Sequence, residues 1–471
     1  MSTTSLSFIS VLVIFVIIGM LSMRKKQERV EDYLTAGHST APWLIGLSSV
    51  ATNNSAYMFI GLVGYTWVAG VSASWLALGW LAGDWLAWMG FHQRLRRYSE
   101  NHPVNTVPAM MSQNPALANS PLRIIAAIIT LIFLSIYAAA QLKGGSKALF
   151  VIFDWPLWLG AVLGAVVIVL YSFAGGLRAS IWTDVAQSFV MLFGMSALCI
   201  SAMVEVGAPW TLWQRLEAID PALVQWVPDN LAFGFLAFVA GWVAAGYGVI
   251  GQPHILVRTI AVRSPEDIPA ARRVYFSWYL PFVILTLLVG LYARVLLGSE
   301  QPDPELALPL MSGLLLPDIL TGTVLAAIFA ATLSTADSML LSCSAAISQD
   351  LIPRFGQSYV RTKIGTLVVT SVVLLISLSA PANVFTLVVF AWSFLACTLG
   401  PIILLRVLGL PLTRPVAFMM MSFAILTLLG WRAAGYSDSV YELLPAFIVT
   451  FLIYVMFWVF NFLSKHRYDH E

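Results

Sequence analysis

The chain has 471 residues, 59% of them hydrophobic and 10% charged, with a formal net charge of +2 and a mean hydropathy of +0.85. That composition excludes an ordinary soluble domain and fits a polytopic membrane protein, and so small a charge gives no reason to expect nucleic acid as a partner. Three cysteines inside apolar runs and six scattered histidines have neither disulfide nor metal-ligand spacing.

Spans of about 20 apolar residues are predicted near 6–23, 42–70, 72–92, 122–152, 155–177, 181–205, 231–255, 274–298, 317–347, 362–380, 383–408, 413–434 and 440–463, thirteen in all. The first lacks a basic leader and a small-residue cleavage site, and reads as a retained span. The second carries the polar and small run 48–57, Ser-Ser-Val-Ala-Thr-Asn-Asn-Ser-Ala-Tyr. Hydrocarbon tolerates such a segment only where it lines a protein cavity. Broken helices of this kind hold ions and solutes in secondary transporters.

The seventh span, five helices later, carries glycines from Gly241 to Gly248 and ends in Gly251-Gln252-Pro253. Paired interruptions five spans apart predict an inverted-repeat transporter, with halves at 42–205 and 231–408, a leading helix at 6–23 and two trailing helices within 413–463. Close helix packing is the other reading of those glycines. No linker or soluble module interrupts this single membrane domain.

In span nine, Ala331, Ser334 and Thr335 share a helical face, which Ser338 and Ser342 extend. Oxygens converging without formal charge suit sodium, and carbonyls near Ala51 and Asn54 would complete about five ligands. Ser and Thr that bond their own helix carbonyls or glue neighbouring helices are the alternative. Charges within spans are functional suspects: Asp84, Lys143, Asp184 and Asp337. Asp184 also fits a helix N-cap. Lys143 fits snorkelling, a charge pair with Asp337, or a stand-in for a cation. Asp84 is marked by its depth alone.

Basic residues predict orientation. Arg24, Lys25, Lys26 and Arg29, then Arg94, Arg96 and Arg97, then Arg258, Arg263, Arg272 and Arg273, then Arg354, Arg361 and Lys363, and finally Lys465 and Arg467 fall on one face. Glu205, Glu217, Asp220, Asp229, Glu300, Asp303, Glu305 and Asp438 fall on the other. The expectation is a multi-pass protein of the plasma (inner) membrane, N-terminus outside and C-terminus cytoplasmic.

Several motifs carry a resemblance. They are Asp32-Tyr33-Leu34-Thr35-Ala36-Gly37, then Tyr171 to Leu177 with Trp182-Thr183-Asp184, then Gly251-Gln252-Pro253-His254 with Ala270-Ala271-Arg272-Arg273, and Ala331 to Thr335 continuing to Ser344. With these the chain resembles the sodium:solute symporter family, most closely its proline-permease branch. The resemblance implies an all-α, leucine-transporter-type fold of five plus five core helices. It implies sodium at Ala51, Asn54, Ala331, Ser334 and Thr335, and a second cation at Asp184, Asp337 and Ser338 with Ser334. It places the solute near Asn53, Ser55, Ala56, Tyr137, Gln141, Ala245, Val249 and Pro253.

Where the proline carriers have an aspartate in the broken helix, this chain has Asn53. Where they place aromatics on span seven, it has Ala245 and Val249, which predicts a wider pocket. The function expected is sodium-coupled import of a small carboxylate-bearing solute, an amino acid such as proline, by alternating access. A membrane sensor of the same fold is the alternative. No catalytic constellation points to an enzyme, and the expected partners are the solute and the bilayer, with no obligate protein partner evident.

Overall fold

A computed structural model describes all residues except 1, 23, 25–28, 103, 113–119, 299–302, 380–382 and 469–471, and no side chains at 173–174 or 461–468. Lys25, Lys26 and Glu300 therefore lie outside the described residues, as do the side chains of Lys465 and Arg467. The described chain is helical, with one isolated bridge, Thr40 to Val262. In chain order the helices are α1 (Thr3–Ser22), α2 (Val30–Thr35), α3 (Pro42–Asn53), α4 (Val63–Ala69), α5 (Ala73–Asn101) and α6 (Pro121–Phe153). Then come α7 (Leu157–Val206), α8 (Pro209–Ile219), α9 (Gly234–Tyr247), α10 (Pro253–Ala261), α11 (Ile268–Leu297) and α12 (Ala307–Leu315). The chain closes with α13 (Asp318–Ala345), α14 (Tyr359–Ser379), α15 (Val384–Val407), α16 (Arg414–Ala433) and α17 (Leu443–Tyr468).

Among the described residues eleven helices are long and apolar enough to cross a membrane, where the sequence predicts thirteen. The predicted fifth span, 155–177, corresponds to Leu157–Ser172, one of the shorter apolar helices, and the second is divided into α3 and α4. The division is narrower than the polar run. α3 stays helical through Asn53, the backbone turns at Asn54 (φ −90, ψ 71), and a wide turn over Tyr57–Leu62 leads into α4.

The second interruption is also displaced. α9 is helical over Gly241 to Tyr247, and the break falls at Gly248–Gly251 and Gln252. The earlier glycines serve packing. A Cβ on Gly246 would sit 1.9 Å from the Trp80 carbonyl oxygen, so α9 can lie against α5 only without one. Gly176 divides α7, with φ +59 and ψ −144; a Cβ there would meet the Tyr33 carbonyl at 2.4 Å.

α13 is the spine of the molecule. It contacts α1, α3, α6, α7, α10 and α14, and it is buried at almost every position from Thr321 onward. Its lack of an apolar stripe follows: a helix surrounded by protein has no lipid-facing side.

At the end of the bundle that carries α12, Lys147 of α6 bonds Glu305 at 2.5 Å and Asp303 at 2.8 Å. Glu305 also accepts the backbone N–H groups of Val384 and Phe385 at the start of α15, which satisfies helix-terminal donors. One buried carboxylate thus ties α6 to α15. Glu305→Ala should lower the unfolding free energy by about 3 kcal/mol, the usual cost of breaking a buried pair, as read from the thermal midpoint of the purified protein. An unchanged midpoint would show that the tie carries no weight.

Candidate functional site

Of the predicted sodium ligands, α3 and α13 bring four together. The Ser334 hydroxyl donates to the carbonyls of Ala51 at 3.0 Å and Ala331 at 3.1 Å. The Thr335 hydroxyl donates to the carbonyls of Thr52 at 2.8 Å and Ala331 at 3.1 Å. Both hydroxyls bond α3 as well as their own helix, as the helix-glue reading of the Ser-Thr pair expects, and the same contacts gather oxygens that the sodium reading needs. Thr52 supplies an oxygen that the sequence did not single out. The Asn54 side chain donates to the Val50 carbonyl at 2.8 Å, and its Oδ1 is buried without a partner among the described residues. Neutral oxygens, fully buried and converging from two helices, are a donor set suited to a hard monovalent cation. Among the described residues no group of His, Cys, Asp and Glu could hold a metal ion.

The second predicted cluster, Asp184, Asp337 and Ser338, is also assembled, but around a group the sequence misplaced. Arg258 is predicted in a loop between spans seven and eight. It lies instead in α10, and both it and Asp184 are 0% exposed in their ion pair, Nη2 to Oδ2 at 2.8 Å. Its guanidinium also donates to Ser48 at 2.8 Å, Ser180 at 3.0 Å, Ser338 at 2.5 Å and the His254 carbonyl at 2.7 Å. The available signal was local: apolar residues flank Arg258 from Ile255 to Val262.

Asp184 lies well past the Gly176 break and caps no helix. Its Oδ2 accepts from Ser48 at 2.6 Å and its Oδ1 is buried without a partner among the described residues. Asp337 accepts from Ser172 at 3.3 Å, Ser180 at 3.1 Å and Ser338 at 2.9 Å. The cation facing these carboxylates is therefore Arg258. Lys143 is part-exposed and sits one turn from Lys147 at the α12 end of α6, whereas the ion pair in the cluster is made by Arg258.

The predicted solute residues divide into two groups. Around the first break, Ala56 N–H donates to Gln141 Oε1 at 2.8 Å, Tyr137 is hydrogen-bonded to Ser55, and the Tyr137 ring meets His254 edge-on at 5.7 Å. His254 follows the second break, so the two breaks face each other here.

Ala245 and Val249 are buried. Trp392 of α15 donates its indole N–H to the Ala245 carbonyl at 2.8 Å, and Gln252 donates to the Trp392 carbonyl at 3.0 Å. Trp392 packs against Trp80 with tilted rings 4.9 Å apart, and Trp80 likewise against Tyr57 at 5.0 Å. Aromatics of α5 and α15 therefore lie beside the Ala245 backbone of α9. Pro253 instead lines a small cavity with Leu34, Thr106, Val257 and Leu341. Asn53 turns away from the group, donating to Tyr275 and Asp84.

Between the breaks several buried polar atoms have no partner among the described residues: Tyr57 Oη, Gln141 Nε2, Gln252 Oε1 and both His254 ring nitrogens. Buried polar atoms are ordinarily bonded, so these unbonded atoms make the residues around the two breaks candidates for ligand contact.

Comparison with known proteins agrees with this architecture. An osmoregulated proline transporter, OpuE, of Bacillus subtilis (strain 168) is 30% identical, over 91% of this chain and 89% of its own. A sodium/proline symporter of Escherichia coli (strain K12) is 30% identical, over 92% and 88%. Among solved structures, a Na+-coupled sialic acid symporter in its substrate-bound, outward-open state superimposes with a TM-score of 0.78, at 17% identity over 97% of this chain and 98% of its own. MhsT in complex with L-phenylalanine gives 0.55, at 13% identity over 89% and 98%. The fold is thus of the leucine-transporter type. These relatives are transporters and not enzymes, and the sensor alternative finds no support in them. The family model of the sodium:solute symporter family matches residues 33–424, and the chain belongs to that family: it is a multi-pass membrane symporter that couples solute movement to sodium.

Proposed function

We propose that this symporter imports a small zwitterionic amino acid, proline or one of similar size, with sodium held between α3 and α13. The observation that carries the solute assignment is the unbonded set at the facing breaks, which offers both donors and acceptors to a charged amine and a carboxylate. Gln141 Nε2 is a donor for a carboxylate, and Gln252 Oε1 an acceptor for an amine. The Trp392, Trp80 and Tyr57 wall limits side-chain bulk. The likeness to proline carriers at 30% identity supports the same solute class.

In this reading 42–205 and 231–408 are the inverted repeats. The N-terminus is outside, the C-terminus is cytoplasmic and the membrane is the plasma (inner) membrane, as the basic-residue pattern supports. Sodium would take the carbonyls of Ala51, Asn54 and Ala331 and the hydroxyl oxygens of Ser334 and Thr335, so that ion binding joins α3 to α13. In the Asp184–Asp337 cluster two carboxylates face one guanidinium, which leaves one formal negative charge for a second monovalent cation beside Ser338. The driving force is adequate. One charge crossing about 100 mV yields about 2.3 kcal/mol, while a hundredfold solute gradient requires about 2.7 and a tenfold sodium gradient adds about 1.4.

The deciding experiment is a radiolabelled amino-acid uptake panel in proteoliposomes, with and without an inward sodium gradient. Sodium-dependent uptake of proline, or of another small amino acid, is expected; uptake indifferent to sodium would reject the reading. In the same panel Trp392→Ala should admit bulkier amino acids, lowering their half-inhibitory concentrations by about tenfold, the scale on which pocket volume discriminates. An unaltered ranking of competitors would remove Trp392 from the pocket.

A further inference from the structure

Asp84 has no part in the reading above, yet it is fully buried on α5. Its Oδ2 accepts the Tyr275 hydroxyl at 2.6 Å and the Asn53 amide at 3.3 Å. The same amide donates to the Tyr275 oxygen at 2.6 Å. Three side chains, from α3, α5 and α11, thus close a ring. The second oxygens, Asp84 Oδ1 and Asn53 Oδ1, are buried without a donor among the described residues.

Aromatic rings enclose the group: Trp88 lies 4.9 Å and Tyr279 5.6 Å from the Tyr275 ring. Ionisable groups on the surrounding helices point elsewhere. Arg258 of α10 is held by Asp184, His254 meets Tyr137, Arg272 of α11 lies over Trp85, and His92 of α5 bonds Thr259. No ion pair to Asp84 is present among the described residues. A carboxylate in so weakly screening a place acts strongly on a cation nearby. The ring is attached to the last residue of α3, next to Thr52 and two positions from Ala51, whose carbonyls receive Thr335 and Ser334.

We propose that Asp84, acting through Asn53 and Tyr275, positions the break in α3 and contributes negative charge that favours sodium there. It is a positioning residue that sets the sodium dependence of the protein and leaves solute recognition to the other face of the break. The inference rests on the assignment of sodium to the α3–α13 site.

The test uses the purified full chain and sodium alone, titrated against choline chloride at constant ionic strength. The thermal midpoint and tryptophan fluorescence are the readouts, since an ion that binds the folded state stabilises it. Asp84→Asn keeps the shape and should raise the half-saturating sodium concentration by about tenfold. The exchange of Asn53→Asp with Asp84→Asn moves the charge across one hydrogen bond and should restore a wild-type response. Tyr275→Phe should give an intermediate shift.

An Asp84→Asn protein with wild-type half-saturation would overturn the proposal, as would an exchange variant as weak as Asp84→Asn. Should Asp84→Asn fail to fold, Tyr275→Phe and the exchange variant decide on the same criteria. Ser334→Ala, run in parallel, separates the two readings. A wild-type sodium response in Ser334→Ala rejects the site assignment, whereas one in Asp84→Asn rejects this inference alone.

Discussion

Replacing Arg258 with methionine is expected to remove most of the folded transporter from the membrane. The side chain is 0% exposed in its pair with Asp184, and it joins α10 to Ser48 of α3, Ser180 of α7 and Ser338 of α13. Methionine fills similar volume but leaves Asp184 and Asp337 facing each other without a cation. Breaking a buried pair by removing one partner costs about 3–5 kcal/mol, a large share of the roughly 5–15 kcal/mol that keeps a protein folded.

Arg258→Lys should recover little, because one ammonium cannot reproduce a fork that reaches four side chains and a carbonyl. Adding Asp184→Asn to Arg258→Met should recover part of the loss, since groups in direct contact behave non-additively. Membrane abundance and the elution of the solubilised protein as a single species are the measurements. Normal abundance with normal uptake in Arg258→Met would show that the cluster does not hold the four helices together.

Ser334→Ala and Thr335→Ala should each raise the sodium concentration for half-maximal uptake by about ten- to a hundredfold, with abundance near wild type. Each removes one of about five ligands, and a sodium cage of neutral oxygens has no formal charge to compensate. The folded state loses less. Each hydroxyl bonds one carbonyl inside the α13 ladder and one at the open end of α3, and such hydrogen bonds contribute about 1 kcal/mol net. That separation between a large functional and a small structural effect distinguishes a ligand from helix glue. Uptake at saturating sodium should approach the wild-type rate in both variants. Unchanged sodium dependence in both would move the site elsewhere on α13.

Three features were legible from the chain because they depend on local chemistry. Apolar length marks spans, a polar run marks a helix break, and helical periodicity puts Ser334, Thr335 and Ser338 on one face. These sufficed for the membrane class, the two interruptions and the α13 side of the proposed cation site. The extent of each interruption was not legible. Gly241 and Gly246 have the composition of a break yet are helical, because close contact with Tyr441, just before α17, and with α5 demands small residues as much as an unwound turn does.

Partners drawn from distant segments were equally hidden. Arg258 resembles a loop arginine until α10 is seen to turn inward on Asp184. Asp84 acquires a role only when α3 and α11 deliver Asn53 and Tyr275 to it. Trp392 of α15 reaches the Ala245 carbonyl, a contact that nothing near Ala245 in the chain announces. The sequence by itself determined which segments are apolar enough to sit in a membrane protein and which residue types could meet a cation. The tertiary structure alone decided which of those residues meet. A buried charge or an omitted side chain is tolerable only when a neighbour from another helix answers it, and one helix cannot specify that neighbour.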